Sequence, residues 1–177
     1  MTNRNISAPA GAAEERQARA KRPRTALAGP YGHPLHATVV TVPIGAWTAS
    51  VVFDILALCG VEPRAFSLGA QWLVAIGVIA ALGAAVLGLL DLSQLEKGTK
   101  ARRTALIHLG FNSAAIVLFA IGFVVRTTQV GQASVAGFVV SLVALACVGV
   151  SGFLGGELAY RYGVRVADEA TQRKGFE

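Results

Sequence analysis

Residues 68–90 read LGAQWLVAIGVIAALGAAVLGLL and contain no formal charge. Residues 104–125 and 134–156 are also uncharged, and residues 38–60 contain only Asp54. Because an α-helix rises 1.5 Å per residue, about 20 apolar residues cross the hydrocarbon core of a bilayer. Only a helix satisfies its backbone groups within one isolated span. The sequence therefore predicts an all-α fold, an integral membrane bundle of four transmembrane helices at about 34–60, 67–91, 102–126 and 134–161.

The composition excludes most classes of soluble protein. Hydrophobic residues make up 54% of the 177 residues and charged residues only 15%, against roughly 25% charged in a typical globular domain. These proportions exclude a disordered chain, a coiled coil, a disulfide-rich secreted module and nearly every soluble enzyme scaffold. The motifs of dinucleotide, phosphate-loop, zinc-protease and CxxC sites do not occur in the sequence.

The basic residues are distributed unevenly between the two sides of the predicted bundle. Fourteen of the 16 lie in residues 1–30, in the loop after the second helix, or from the end of the fourth helix onward, whereas the other two loops carry only Arg64 and Arg126. Loops rich in Lys and Arg stay on the cytoplasmic side. Both termini and the second loop are therefore predicted to face the cytoplasm.

The same pattern divides the chain into three parts. Residues 1–30 are polar and basic, and they are predicted to form a disordered cytoplasmic tail without a signal peptide. Residues 31–166 form the predicted transmembrane domain, and residues 167–177 form a second cytoplasmic tail.

Polar residues at membrane depth are the main candidates for a functional site, because they are costly there. Successive helices cross in opposite directions, so depth follows from position along each helix. One predicted layer, near the cytoplasmic boundary, consists of His33, His36, Asp91, His108, Asn112, Glu157 and Tyr160. A smaller layer toward the outer side consists of Asp54, Gln71 and Arg126.

Helical spacing connects the two layers. His36 and Asp54 are 18 residues apart, as are His108 and Arg126, and 18 residues make about five turns, so each pair lies on one helix face. If the two faces meet inside the bundle, His36 approaches His108 at one end and Asp54 pairs with Arg126 at the other. Pro43 leaves a different phase open, because a proline can kink the first helix.

Small residues define a packing face on the fourth helix. Close approach of a neighbouring backbone is expected along one side that carries Gly149, Gly152, Gly156 and Ala159. The sequence shows no clear internal repeat.

Several short motifs resemble one family of bacterial membrane proteins. The motifs are Gly32-His33-Pro34-Leu35-His36, Pro43-Ile44-Gly45, Asp54, Gly88-Leu89-Leu90-Asp91, His108, Asn112, Gly155-Gly156-Glu157-Leu158-Ala159-Tyr160 and Gly163-Val164. Over residues 31–166 they resemble the four-helix proteins known as domain of unknown function 2231. The chain departs from that family at Ala37, usually a proline, and at Leu92, usually an aromatic residue.

The resemblance implies a multi-pass protein of the bacterial cytoplasmic membrane. Some relatives resemble membrane anchors fused to a Rieske iron–sulfur domain, which implies a link to electron transfer. This chain carries no Cys/His pairs for such a cluster.

Three interpretations of the histidine layer stay open. In the first, His36 and His108 are axial ligands of a b-type haem in a membrane redox component, oriented by Asp91, Asn112, Glu157 and Tyr160. In the second, the three histidines with Asp91 or Glu157 bind a divalent non-haem metal. In the third, these side chains hydrogen-bond one another and no cofactor binds.

Two other classes of function are also considered. The polar layers indicate a proton or solute path, and the glycine face of the fourth helix indicates a structural or assembly subunit. Whether the chain is an enzyme is left undecided, and Ser151 has no histidine at its own predicted depth. The expected partners are the lipid bilayer and either a redox protein or a second copy of the chain. Nucleic acid is not expected, because the basic residues are better explained as an orientation signal.

Overall fold

In a computed structural model of the protein, the structure describes residues 10–177, and within them helices are the only regular secondary structure. The helices are α1 (Ala10–Lys21), α2 (Leu35–Val39), α3 (Thr41–Leu58), α4 (Pro63–Leu92), α5 (Lys100–Thr127), α6 (Val135–Gly156) and α7 (Glu169–Arg173). Short 3-10 turns form at Pro30–Gly32 and Lys174–Phe176, and a wider π turn, Glu157–Arg161, extends α6.

Within these residues, four segments are long and apolar enough to cross a membrane, which confirms the predicted bundle of four spans. They are Leu35–Leu58, Pro63–Leu92, Lys100–Thr127 and Val135–Arg161. Their starts carry the expected signals. Pro63 lies in the first turn of α4, where its missing N–H costs nothing. The side chains of Thr99 and Ser134 accept hydrogen bonds from the first turns of α5 and α6.

The spans form two helical hairpins. The first hairpin contains α2, α3 and α4, and the second contains α5 and α6. Because α4 packs on α5 and α3 packs on α6, α3 and α5 lie diagonally opposite each other across the bundle. The hairpin end of the bundle holds the α3–α4 and α5–α6 loops, where Arg64 approaches Gly131. The tail end holds α1, the α4–α5 loop and residues 162–177, which are joined by ion pairs.

The first span is interrupted at Val40, between α2 and α3. Pro43 explains the interruption, because it has no N–H to donate to the carbonyl of Val39 and its ring crowds that carbonyl. Despite this break, the face that carries His36 and Asp54 still meets the face of α5 that carries His108, since the ring of His36 packs near that of His108.

Three contacts cross the bundle along the α3–α5 diagonal. His36 faces His108, Trp47 stacks on Phe119 with ring centroids 4.2 Å apart, and Asp54 pairs with Arg126. In each contact the two residues are 72 positions apart in the chain. The Trp47–Phe119 stack is the centre of the hydrophobic core, with Val74, Ala81 and Ala144 packed around it.

The two hairpins therefore repeat each other structurally, which the sequence does not reveal. In α4 and α6, the second helices of the two hairpins, equivalent residues are 67 positions apart in the chain rather than 72. The backbone carbonyls of Ala84 and Ser151 each contact Nδ1 of a histidine, and Gly88 and Gly155 each lie against a histidine ring. Equivalent residues of the two hairpins meet at the centre, so the contacts repeat about an approximate twofold axis along the bundle. The repeat lies in these contacts, whereas the sequence shows no clear internal repeat.

Part of the N-terminal tail that is predicted to be disordered is helical in the structure. Residues 10–21 form α1, rich in the helix formers Ala, Glu, Gln and Arg. Ala20 packs on Leu95 and Ala105, and Arg16 and Arg19 both pair with Glu96. Residues 1–9 lie outside the described residues.

Helix α7 also contacts α1, through an ion pair between Glu169 and Lys21. Lys21 donates to Glu169 at 3.0 Å, and Asp168 caps α7 by accepting from the amide of Thr171. The pKa of Glu169 is held below its ordinary value by the backbone amide of Glu169 and then by Lys21. That of Asp168 is held low mainly by the Thr171 amide. Both carboxylates therefore stay charged in their contacts at neutral pH, since a lowered pKa favours the ionised form.

The predicted packing face of α6 points away from the bundle. No atom of the described residues lies within 4 Å of a Cβ built at Gly149 or Gly152. Close packing occurs at other glycines, most tightly at Gly77 of α4, where a Cβ would overlap the indole ring of Trp47. The reason is the size of the partner, because the large ring of Trp47 needs the missing side chain and α6 faces no aromatic residue there.

Candidate functional site

The two imidazoles of His36 and His108 meet inside the tail-end half of the bundle. α2 carries His36 and α5 carries His108, and both rings are half-buried. Their centroids are 6.5 Å apart and their planes are nearly perpendicular, at 83°. The 18-residue spacing predicts this approach of His36 to His108, and the two rings are found next to each other.

Each imidazole is held by the same kind of backbone contact. Nδ1 of His36 lies 2.8 Å from the carbonyl oxygen of Ala84, and Nδ1 of His108 lies 2.8 Å from that of Ser151. A carbonyl oxygen only accepts, so each Nδ1 carries the proton and donates it. In the neutral ring this leaves Nε2 unprotonated, with a lone pair that can accept a proton or bind a metal.

The two Nε2 atoms differ in what they contact. Nε2 of His108 accepts a hydrogen bond from the amide of Asn112 at 3.0 Å, and this amide also donates to the carbonyl of His108 at 3.1 Å. Within residues 10–177, Nε2 of His36 makes no hydrogen bond. The residue equivalent to Asn112 in the first hairpin is Val40, which cannot donate from its side chain. The asymmetry therefore follows from one residue.

Ser151 lies beside His108, contrary to the expectation that no histidine shares its depth. Its hydroxyl is 2.9 Å from Nδ1 of His108 and is almost fully buried. The expectation was wrong because α5 and α6 pack along their whole length, which brings Ser151 level with His108. Since Nδ1 is also bonded to the carbonyl of Ser151, the contact fixes the imidazole rather than exposing a nucleophile.

Two glycines make room for the rings. A Cβ at Gly88 would lie 3.0 Å from Cε1 of His36, and a Cβ at Gly155 would lie 3.3 Å from Cε1 of His108. Both distances are shorter than ordinary van der Waals contact, so a side chain at either position would push on the imidazole. The rings therefore pack directly against the helix backbones of α4 and α6.

The other predicted members of the layer do not converge on the histidines. His33 is exposed, Tyr160 is 93% exposed, and Glu157 pairs with Arg161 at 2.7 Å. Within the described residues, no group of three His, Cys, Asp or Glu side chains is placed to hold a metal ion. The side chains that the second interpretation assigns to a non-haem metal are therefore not brought together in the described residues. Of the residues expected to orient the imidazoles, Asn112 alone is seen to contact one of them.

Asp91 belongs to a different contact, with Arg165, which sequence reasoning missed. Nε of Arg165 lies 3.0 Å from a carboxylate oxygen of Asp91, an ion pair without hydrogen-bond alignment. The same guanidinium donates to the carbonyls of Lys21, Ala28 and His33. Arg165 has a left-handed backbone, with φ of 60°. No motif identifies it, because its partners come from three distant parts of the chain.

The second polar layer is a buried ion pair at the hairpin end. Asp54 and Arg126 are each only 4% exposed, and Nη2 of Arg126 donates to both Asp54 and the hydroxyl of Ser141. Nη1 donates to the carbonyl of Gly122 at 2.9 Å. A Cβ at Gly122 or Gly137 would lie 3.0 Å from the guanidinium, so these glycines provide the space for it. The third predicted member, Gln71, lines a narrow cleft beside the pair.

The two polar layers are separated by apolar side chains. Trp47 and Phe119 stack between them at the centre of the bundle, and both are almost fully buried. Asp54 is bonded to Arg126 rather than facing an open path. Within residues 10–177 the structure therefore offers no observation that favours a proton or solute path.

Comparisons with known proteins identify a family but no characterised relative. No curated protein and no solved structure matches the chain. A family model described as a predicted membrane protein, domain of unknown function 2231, matches residues 32–168, which include all four spans and both histidines of the pair. The chain therefore belongs to the domain of unknown function 2231 family of predicted membrane proteins.

Proposed function

We propose that the protein is a membrane redox component that holds one b-type haem through His36 and His108. The observation that carries this proposal is the matched pair of imidazoles, each fixed by an Nδ1–H···O=C bond. Metal-ligating histidines commonly donate their second ring nitrogen in this way, which fixes both tautomer and orientation. The same bond in both hairpins leaves both Nε2 atoms with a lone pair.

The separation of the rings fits two ligands on one metal atom. Imidazole nitrogens bind metals at about 2 Å. If His36 and His108 held one iron atom through Nε2, their ring centroids would be about 6 Å apart, counting roughly 1 Å from each nitrogen to its ring centroid. The observed separation of the centroids is 6.5 Å.

The number of donors favours haem over a non-haem metal. A bare divalent ion takes three or four ligands from the protein, and the described residues offer no such group. A porphyrin supplies four nitrogens of its own, so two imidazoles complete its iron. Haem bound in this way would supply one-electron transfer.

The chain's own residues have specific tasks in this proposal. Ala84 and Ser151 keep Nε2 of each ring unprotonated, and Gly88 and Gly155 let the rings lie against the backbone. Asn112 occupies Nε2 of His108, so its amide must turn away for that nitrogen to serve as a ligand.

The location and orientation of the protein are part of the same proposal. Of the 15 basic residues among residues 10–177, 13 lie at the tail end, so in this proposal both termini and the α4–α5 loop face the cytoplasm. The haem then lies in the cytoplasmic half of the bacterial inner membrane. Its electron donor or acceptor is a redox protein or a quinone-type carrier that approaches from that side.

The test is the absorption spectrum of the full chain, purified in detergent after expression with haem supplied. We expect a Soret band and reduced-minus-oxidised bands of a six-coordinate b-type haem. His36→Ala and His108→Ala should each abolish the spectrum or weaken haem binding by about tenfold or more.

His33→Ala is the matched control, because His33 is exposed and lies three residues from His36. It should leave the spectrum unchanged. Circular dichroism of each variant establishes that the helices are retained. A wild-type chain without a Soret band would contradict the proposal, and so would a spectrum that both alanine variants leave unchanged.

A further inference from the structure

An open cleft lies at the tail end of the bundle, at the start of α5. Its volume is about 360 Å³, at the lower end of the range for small-molecule sites. It is lined by Gly98, Thr99, Lys100, Arg102, Arg103 and Leu106. Three of these residues are basic, and no acidic residue is among them.

The positive charges of the cleft are not all used by the protein itself. Arg102 donates to the carbonyls of Leu92 and Leu95, and it thereby holds the α4–α5 loop. Lys100 and Arg103 are exposed, and within residues 10–177 their side chains form neither a hydrogen bond nor an ion pair. By contrast, Arg16 and Arg19 at the same end both pair with the carboxylate of Glu96. Two cations in the cleft are therefore available to an anion.

The depth of the cleft indicates which anion. α5 has 28 residues and is therefore about 42 Å long, whereas the hydrocarbon core is about 30 Å thick. About one turn at each end of α5 extends into the headgroup region, and Lys100 and Arg103 belong to that turn. Leu106 lies about one turn deeper and is half exposed, at the depth where acyl chains begin.

We propose that this cleft binds the headgroup of an anionic phospholipid. Lys100 and Arg103 contact the phosphate, and Leu106 contacts the first part of an acyl chain. Basic pockets beside transmembrane helices bind anionic headgroups in this way, by charge and hydrogen bonds from the cations and by apolar contact below them. The site is separate from the histidine pair, so it stands whether or not haem binds.

The experiment uses the full chain, delipidated in a neutral detergent. Phosphatidylglycerol is added in mixed micelles, and the thermal midpoint of the protein is followed as it rises with the lipid. The quantity compared between variants is the mole fraction of phosphatidylglycerol that gives half of this rise. Lys100→Gln with Arg103→Gln should raise this mole fraction by about tenfold or more, because each basic contact near the headgroups changes binding about fivefold. Lys100→Arg with Arg103→Lys keeps both charges and should change it by less than about twofold.

Two comparisons decide between specific binding and general attraction. Arg22→Gln with Arg24→Gln removes the same charge from exposed residues at the same end, outside the cleft. An equal loss of phosphatidylglycerol binding in this control would overturn the proposal, and so would no loss in the cleft variant. Inorganic phosphate or glycerol phosphate that stabilises the delipidated chain as well as the lipid does would also overturn it, because the ligand would then be a soluble anion. Midpoints measured without lipid should be equal for all variants, since neither substituted side chain of the cleft holds the fold.

Discussion

The two helical hairpins meet through the same three positions, but the residues at those positions are related in three different ways. His36 and His108 are identical, Trp47 and Phe119 are both aromatic, and Asp54 and Arg126 have opposite charges. Residues that face each other near a twofold axis contact their own equivalents. Neutral imidazoles and aromatic rings tolerate such a contact, whereas two like charges in a buried site would repel. The hairpins can therefore be alike at the tail end and must differ at the hairpin end.

The space around the charged pair also differs between the two hairpins, and it is larger around Arg126 than around Asp54. Arg126 has Gly122 on its own helix and Gly137 on α6, and both provide space for the guanidinium. The equivalent residues around Asp54 are Ser50 and Ala70, which are both buried. A short carboxylate needs no such space. The second hairpin is thus built for the long cation and the first for the short anion.

A charge swap tests this difference and has the largest expected effect. Asp54→Arg or Arg126→Asp alone places two like charges in a buried site and should cost about 3–5 kcal/mol in the free energy of unfolding. The double swap restores an ion pair, so it should recover more than half of the summed loss. It should not recover all of it, because Ser50 and Ala70 occupy space that the guanidinium needs at position 54. Unfolding in detergent, followed by circular dichroism, measures each free energy.

The double-mutant cycle also shows whether the two residues act as a pair at all. Coupled residues give a double variant that is more stable than the sum of the single losses predicts. Strictly additive losses would mean that Asp54 and Arg126 do not interact in the folded protein, and the axis contact at the hairpin end would be refuted.

The sequence predicts the spans and the axis contacts well, because both depend on local properties. Three uncharged windows of more than 20 residues and a fourth that contains only Asp54 give the four helices, and the 18-residue spacing places His36 with His108 and Asp54 with Arg126. Pro43 interrupts the first span, but His36 still meets His108, so the spacing still holds.

The repeat itself is hidden in the sequence for physical reasons. Lipid-facing positions accept any apolar residue, so equivalent positions need not match. Between the shared positions, α3 ends three residues later than α5 and α4 begins five residues earlier than α6, which outweighs the longer α5–α6 connection, 128–134 against 59–62. The offset therefore changes from 72 to 67 between the first and second helices. Arg165 and Ser151 were missed because their partners depend on how the helices pack, which no local pattern records.

The two glycines beside the imidazoles give a second, smaller test of the equivalence. Alanine at either position gains helix propensity, up to about 1 kcal/mol, but loses packing against the ring, at about 1–3 kcal/mol when it is crowded. The Cβ at Gly88 would lie closer to its imidazole than the Cβ at Gly155, 3.0 Å against 3.3 Å. Gly88→Ala should therefore be less stable than Gly155→Ala by about 1 kcal/mol.

Gly83→Ala is the control for helix propensity alone. Gly83 lies on the same helix as Gly88, and no atom of the described residues lies within 4 Å of its Cβ position. Thermal midpoints should fall in the order Gly83→Ala, Gly155→Ala, Gly88→Ala. Equal midpoints for all three would show that the imidazoles move freely, contrary to their fixed backbone contacts.

Ser67 and Ser134 are equivalent in the repeat and provide the test with the smallest expected effect. The hydroxyl of Ser134 accepts from the amide of Gly137 at 3.1 Å and caps α6, whereas α4 begins at Pro63, so Ser67 lies inside its helix. Within the described residues the hydroxyl of Ser67 has no hydrogen-bond partner although it is buried. Ser134→Ala should cost about 1 kcal/mol, the usual value of a lost helix cap. Ser67→Ala should be neutral or slightly stabilising, because it removes a buried polar group that makes no bond.

The cleft beside Ser67 is too narrow for a water molecule. A loss in Ser67→Ala as large as that in Ser134→Ala would therefore mean that the hairpin end opens enough to hydrate this hydroxyl. In that case the buried ion pair beside it is also reached by water, and the cost of breaking that pair should fall toward the value of an exposed one.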